Sequence, residues 1–545
     1  MTERLPDRLM ARTPARVRAY VPPEVPELWR DPRRFRVLIA SAMAMFALGI
    51  FPPFLSPGAR AVQMSLKHDP GSLGVIVVAG IALGAGTLLI GGAIGDVGGH
   101  RRWLLVGLAG LLASCAFGVV FQDDWGLLVA GLLGGFWSGF AMPMGIAVVA
   151  DAFPDRTVQD VGIGVGFAAL GAAQIVAPPL QDILGDLLGV WAIYLVPAAA
   201  CALAWWLVWG GVPERRTARA LPRRRVVGQA LLAAVPLAAA TFFIVQLPDA
   251  SDAYALLGLA ILGIIGLAEL AVRGRRGRAR GITLPGSSPG RMVLVALFVG
   301  VFMSFAVNAP QVYFGSFLRV VRGWGEWTAA AAIIPHLVPL LVGGLYAPVL
   351  TRRFGYVPVI VGSMLLIAAS TALFALASAD TTYWWFIVPL ASLGLGMIVG
   401  ATARTALIMS RMPRALPGLA NALNLASMEL GAILGQTVMT VMVMRFATER
   451  YAVRLAEAGV DVGSATAAIE RFRAVLRTVQ PGGTTQLDPS MVERLLPGFR
   501  ESMAGGIGGA LWLVTLATVL AALAAWVLFR WAAGRDERPE SPIDP

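Results

Sequence analysis

The chain has 545 residues, 57% of them hydrophobic and only 14% charged, with a formal net charge of +12. Soluble domains carry about 25% charged residues, so an ordinary soluble enzyme is not expected, and the apolar content is too high for a disordered chain. Lys67 is the only lysine, so the basic surplus is arginine, and in so apolar a chain it points to membrane topology before nucleic acid.

Crossing ~30 Å of hydrocarbon takes about 20 apolar residues. Fourteen segments meet that length, at 37–57, 72–95, 103–121, 126–150, 158–180, 190–210, 226–246, 254–272, 292–316, 327–349, 357–378, 384–408, 417–444 and 506–531. None has the alternation of a barrel strand. The expected fold class is an all-α polytopic membrane protein. Residues 1–36 hold nine arginines and no apolar core, so they read as a cytoplasmic arm and not as a signal peptide. With the N-terminus inside, 31 of the 44 basic residues fall on the inner side and four in short outer loops. The long outer loop 445–505 holds eight, but long loops translocate largely regardless of charge. The cytoplasmic (inner) membrane is therefore expected, with both termini, including the tail 532–545, in the cytoplasm.

Arginine-rich stretches at 211–225 and 273–291 bracket the seventh and eighth segments. The expected organisation is a first six-helix half (37–210), an inserted helix pair with basic linkers (211–291), and a second six-helix half (292–531). A short echo supports duplication. GAIGDVGGHRR (92–102) and PVLTRRFGYVP (348–358) lie at matching places, each with a turning glycine, Gly99 or Gly355, and arginine nearby. Within loop 445–505, Ala465 to Val479 carries Ile469, Phe472, Val475 and Leu476 on one helical face. Asp488-Pro489 is expected to open a further short helix.

GAIGDVGGHRR resembles the G-x-x-x-D-R-x-G-R-R/K signature of the major facilitator superfamily. Gly92, Asp96, Gly99 and Arg101 match; Val97 and His100 stand where arginines are usual. FAMPMGIAVVADAFPDR (140–156), LASLGLGMIVG (390–400) and PGLANALNLASMELGAILG (417–435) are similar to helices 4, 12 and 13 of the fourteen-helix drug:proton antiporter branch. The resemblance implies two six-helix halves with two added central helices, efflux of lipophilic or amphiphilic compounds by alternating access, and a gating role for Gly92, Asp96, Gly99, Arg101 and Arg102. On charge alone Arg101 and Arg102 serve equally as topology anchors. The sequence departs from the family where protons are usually coupled. The first segment has no Asp, Gly131 stands where helix 4 has Arg, and the helix 5 motif is reduced to Gly171 through Pro179.

Ionisable residues inside a bilayer are costly and default to functional candidates. Glu429, His336 and Arg404 are the candidates for proton coupling. Each has a structural alternative: a hydrogen-bonded packing acid for Glu429, a neutral ring satisfying a carbonyl freed by Pro335 or Pro339 for His336, and snorkelling to the interface or pairing with Glu429 for Arg404. Asn308, Gln311, Tyr313, Asn421, Asn424 and Gln174 are candidates for a substrate cavity, or equally for interhelical hydrogen bonds. Glycines at four-residue spacing, Gly131, Gly135 and Gly139 and then Gly431 and Gly435, read as close helix packing. Trp324 and Trp327 suit an interfacial belt. The two cysteines, Cys115 and Cys201, fall in separate apolar segments, and no metal-ligand cluster or phosphate loop appears. No enzyme activity and no cofactor are expected. The expected partners are a small-molecule substrate and the lipid bilayer, with a periplasmic adaptor as a further candidate, and not nucleic acid. A non-transporting scaffold or sensor, or a transporter without proton coupling, are the competing readings.

Overall fold

The computed structural model describes residues 31–54, 70–153, 156–214, 223–246, 290–413, 416–460, 462–479 and 496–536. Fourteen helices matter here. The first half contains α1 (Pro32–Phe54), α2 (Pro70–Gly98), α3 (His100–Val120), α4 (Asp124–Ala152), α5 (Arg156–Leu188) and α6 (Leu195–Gly211). The inserted helix α7 is Arg223–Gln246. The second half contains α8 (Arg291–Ser316), α9 (Ile334–Phe354), α10 (Tyr356–Ala375), α11 (Tyr383–Arg411), α12 (Pro417–Glu457), α13 (Val462–Val479) and α14 (Phe499–Asp536). Eleven of the described helices are long and apolar enough to cross a membrane. Every expected segment except 254–272, which lies outside the described residues, falls on a helix.

The packing repeats. In the first half α1 packs on α4, α5 and α6, and α3 on α4 and α6. In the second half α8 packs on α11, α12 and α14, and α10 on α11 and α14. Matching α1, α2, α3, α4, α5 and α6 to α8, α9, α10, α11, α12 and α14 superposes these neighbour lists. The two turns behind the sequence echo correspond. Gly99 has φ +98° and Gly355 φ +81°, a backbone that only glycine adopts without strain. Each lets one helix reverse directly into the next. The halves meet along two symmetric crossings, α2 with α12 and α5 with α9. The inserted helix α7 packs mainly on α2 and also touches α12, where Thr437 donates to the Ile244 carbonyl at 3.2 Å.

Two expectations about element bounds need correction. The segment 327–349 is two pieces, a short helix Glu326–Ala331 and α9. Pro335 sits in the first turn of α9, where its missing N–H costs nothing and favours a new start. His336 is therefore in the first turn of α9, and not ten residues into a segment that begins at 327. The last helix before the outer loop does not stop near 444. α12 has 41 residues, about 60 Å at 1.5 Å each, twice the hydrocarbon thickness. Its charged extension carries the Arg445–Glu449 pair at 2.9 Å. The predicted helix at 465–479 is α13, whose Phe472 is fully buried, stacked on Tyr451 with centroids 4.3 Å apart and against Phe499 at 5.1 Å. This aromatic trio ties α12, α13 and α14 beyond the membrane. The segment opened by Asp488 lies outside the described residues.

Candidate functional site

The residues of the signature motif gather where α2 crosses α12, at the arginine-rich end of the bundle. α12 begins with Pro417, so its first free N–H groups belong to Gly418 and Leu419. A helix leaves such donors without intrahelical acceptors, and its N-terminus carries about half a positive charge. Asp96 supplies both acceptors from the other half of the molecule. Gly418 N–H donates to Oδ1 at 2.7 Å and Leu419 N–H to Oδ2 at 2.8 Å. The helices approach this closely because both contact residues are glycine. A Cβ at Gly92 or at Gly418 would lie 2.5 Å from the other's carbonyl oxygen.

Behind Asp96 sits His100, on the first turn of α3, with no side-chain exposure. Its Nε2 is 2.9 Å from Asp96 Oδ1 and its Nδ1 is 2.6 Å from Asp151 Oδ2. One ring donates to two ionised carboxylates only when both nitrogens carry hydrogen, which is the imidazolium. Asp151 lies in the last turn of α4, where the helix dipole disfavours an anion, and His100 offsets that. With both acids ionised and the ring an imidazolium, the group carries a single negative charge, aimed at the positive end of α12. The histidine thus occupies the place of a usual arginine and still bridges. Asn421, one turn further along α12, donates to the Pro143 carbonyl on α4 at 3.1 Å and adds a second tie between the halves.

Arg101 and Arg102 point elsewhere. Arg101 Nη2 donates to the Trp209 carbonyl at the end of α6 at 2.7 Å. Arg102 is exposed, its guanidinium 5.9 Å from the Trp103 ring. The five motif residues therefore separate into a buried crossing and a flanking groove.

Arg404 does not snorkel. It is fully buried on α11, held by one hydrogen bond from Nη1 to Ser427 Oγ on α12 at 3.0 Å. Gly300 on α8 leaves the space that the guanidinium fills. Among the described residues its Nε and Nη2 meet no acceptor, and no ion pair joins it to Glu429. Asn424 donates to Thr405 at 2.9 Å. Glu429 lies two residues beyond Ser427, half-buried, with no hydrogen bond among the described residues. It is 11 residues from Gly418, about 17 Å along the axis, which is near mid-bilayer.

A second group lies near the opposite end. His336 is fully buried. Its Nδ1–H donates to the Leu390 carbonyl at 3.1 Å, and its Nε2 accepts from Gln311 at 3.0 Å. The ring thereby joins α8, α9 and α11, and Gly394 makes room for it. Asn308 donates within its own helix to the Ser304 carbonyl at 2.9 Å. Tyr313 is buried and donates to Thr440 on α12 at 3.1 Å. Gln174 is exposed on α5, away from both groups in sequence and in contacts.

Sequence reasoning brought forward Asp96 but not His100 or Asp151 as its partners. The signal for Asp151 was its place as an acid at the end of an apolar segment. It also did not anticipate the symmetric crossing, where Gly164 and Gly344 pack backbone to backbone and Tyr356 donates to Asp160 at 3.2 Å.

Comparison with known proteins agrees with this geometry. The chain is 26% identical over 518 residues to the tetracenomycin C resistance and export protein of Streptomyces glaucescens, covering 93% of each chain. It is 25% identical to the methylenomycin A resistance protein of Bacillus subtilis (strain 168), covering 70% of this chain and 83% of that one. Among solved structures, the peptide-transporter-family protein PepTSo superposes with a TM-score of 0.55 at 15% identity, covering 92% of this chain and 98% of that one. The proton:xylose symporter XylE does so with a TM-score of 0.55 at 14% identity, covering 91% and 95%. These likenesses show the fold. The family description of the major facilitator superfamily matches residues 37–436. A fourteen-segment chain with two matching halves, an aspartate capping the opposite half and this match over most of its length belongs to the major facilitator superfamily and is a secondary transporter, not an enzyme.

Proposed function

We propose that this transporter exports lipophilic or amphiphilic, antibiotic-like small molecules from the cytoplasm by alternating access, in exchange for protons taken up at Glu429. The resistance and export roles named for the relatives support the substrate class and direction. The observation that carries the reading is the capping of α12 by Asp96 across the two halves. Such a contact is made or lost as a unit, so it serves a two-state rocking motion. α12 carries both this capped end and Glu429, so a proton on the acid and the state of the crossing act on one rigid element. A carboxyl group without a fixed partner is free to load and release a proton.

In this reading the arginine-rich end faces the cytoplasm, the protein lies in the inner membrane with both termini inside, and the structure represents the state open to the outer side. The halves are 37–210 and 292–531, with 211–291 inserted between them. Gln174 and Gln311 lie toward the outer end and are assigned to substrate contact, and His336, bonded to Gln311, is a second candidate for proton coupling. Asn421, Asn424 and Arg404 belong to the crossing side. A periplasmic adaptor is a further partner under this reading.

The test is transport into everted vesicles with an imposed proton gradient, using a panel of lipophilic antibiotics. Glu429→Gln is expected to abolish gradient-driven accumulation while the same ligands still raise the melting temperature of the purified protein. Unchanged accumulation in that variant removes Glu429 from the mechanism. Wild-type flux that ignores collapse of the gradient favours an uncoupled transporter. No flux and no ligand shift for any compound favours a non-transporting scaffold.

A further inference from the structure

The groove beside the crossing has a chemistry that the transport cycle does not use. It lies between the start of α3 and the end of α6, with about 540 Å³ of open space. Its polarity changes along the membrane normal. At the arginine-rich end it presents Arg101 and Arg102; one and two turns deeper it presents Leu105, Val106 and Ala109. From residue 101 to residue 109 is about 12 Å of helix. The facing wall is Trp205 and Trp209, their rings stacked 5.8 Å apart with 20° between planes. Trp209 is 58% exposed, as is expected of a ring at a membrane interface.

The charges do not cancel within the groove. Glu214 is the only acid lining it among the described residues, and its carboxylate is 3.9 Å from Arg101 Nη1. Arg102 forms no ion pair among the described residues. Two guanidinium groups against one carboxylate leave one positive charge at the polar end of an otherwise apolar slot. Arg101 is fixed in place by its bond to the Trp209 carbonyl, so this end of the slot is preformed.

We propose that this groove binds one anionic phospholipid of the adjoining leaflet, with the phosphodiester at Arg101 and Arg102 and an acyl chain along Leu105, Val106 and the paired tryptophans. A free anion would use only the polar end. A zwitterionic lipid would leave the surplus charge unmatched. Basic pockets between helices at the membrane surface recognise anionic headgroups in this way. Arg101 follows His100 directly, so a bound lipid holds the start of α3, and with it the crossing, in the closed arrangement.

The test uses the full-length protein in detergent micelles, titrated separately with phosphatidylglycerol, phosphatidylethanolamine, phosphatidylcholine and inorganic phosphate, with bound lipid counted by native mass spectrometry. The wild type is expected to retain one phosphatidylglycerol about tenfold more tightly than either zwitterionic lipid. Arg102→Gln, at an exposed position, is expected to weaken that lipid about fivefold, the value of one surface arginine, and to leave phosphatidylcholine unchanged. A second readout is quenching of tryptophan fluorescence by bromine-labelled phosphatidylglycerol, which is expected to fall in the Trp205→Phe, Trp209→Phe double variant relative to wild type with brominated phosphatidylcholine as reference. Equal retention of all three lipids, or Arg102→Gln with an undiminished preference, overturns the proposal. So does displacement of phosphatidylglycerol by millimolar inorganic phosphate, which would make the groove a free-anion site.

Discussion

The two halves touch at two crossings related by the internal repeat, and they are built differently. At α2 with α12, two glycines bring the backbones together, and a buried Asp96–His100–Asp151 chain seals the contact. At α5 with α9, Gly164 and Gly344 bring the backbones together in the same way, and Tyr356, at the start of α10, donates to Asp160 at 3.2 Å. Duplication reproduced the close packing, and the buried histidine between two carboxylates is the added feature of the first crossing. The shared feature, small residues where helices slide, serves any rocking pair. The buried bridge gives the closed state a discrete, switchable contact at α2 with α12. Stability of the closed end is thus expected to be concentrated at α2 with α12.

The largest effect tests the packing both crossings share. Gly418→Val places a branched side chain where even a Cβ meets the Gly92 carbonyl and Asp96. Closure at this end is expected to fail, with transport reduced at least ~100-fold, the scale of a few kcal/mol of overpacking and lost capping. Pulsed spin-label distances between the arginine-rich ends of the two halves are expected to lengthen. Unchanged distances would mean that the crossing is not as tight as described.

The next effect isolates the charge. Asp96→Ala removes two charge-assisted hydrogen bonds, each worth roughly 1.5–3 kcal/mol, and strands the N–H groups of α12. The open state is expected to gain on the order of 100-fold in population relative to the closed one, read from the same spin-label distances, with transport falling accordingly. His100→Leu is expected to follow it, since two carboxylates then face each other without a cation. His100→Arg, which keeps a cation with several donors, is expected to restore most of the activity. If His100→Leu transports like wild type, the bridge is packing and not a latch.

The smallest effect lies at the other crossing. Tyr356→Phe removes the hydroxyl that donates to Asp160, a partly exposed hydrogen bond worth about 1 kcal/mol, so transport is expected to change no more than about fivefold. A loss as large as that of Asp96→Ala would show that the two crossings are energetically equal and that the asymmetry is only apparent.

Much of the frame was legible in advance because it rests on local properties. Apolar runs located the helices, and Gly99 and Gly355 located the two direct reversals, because a reversal of this kind needs a positive φ. Asp96 was legible because it stands at the acid of the signature motif, between two apolar segments. The partners were less so. Arg404 lies a few residues from a helix end, which by sequence alone favours reaching water. It is buried instead because Gly300 on α8 opens a space that only the folded bundle reveals. Gln311 and His336 were singled out separately, as an amide and a ring, and only the packing of α8 on α9 and α11 makes them one network. The length of α12 was missed because hydropathy ends where the charged, helix-forming stretch from Arg445 begins, although the helix continues.

The amino-acid sequence determined how many times the chain crosses the bilayer, where it turns, and the division into two halves around an insertion. Hydropathy and backbone freedom are properties of neighbouring residues, so they are written in order along the chain. Only the tertiary structure decided that Asp96 would cap a helix 322 residues away at Gly418, and that His100 would take an arginine's place between two carboxylates. Those choices depend on which surfaces meet when every helix is packed at once, and no local pattern encodes that.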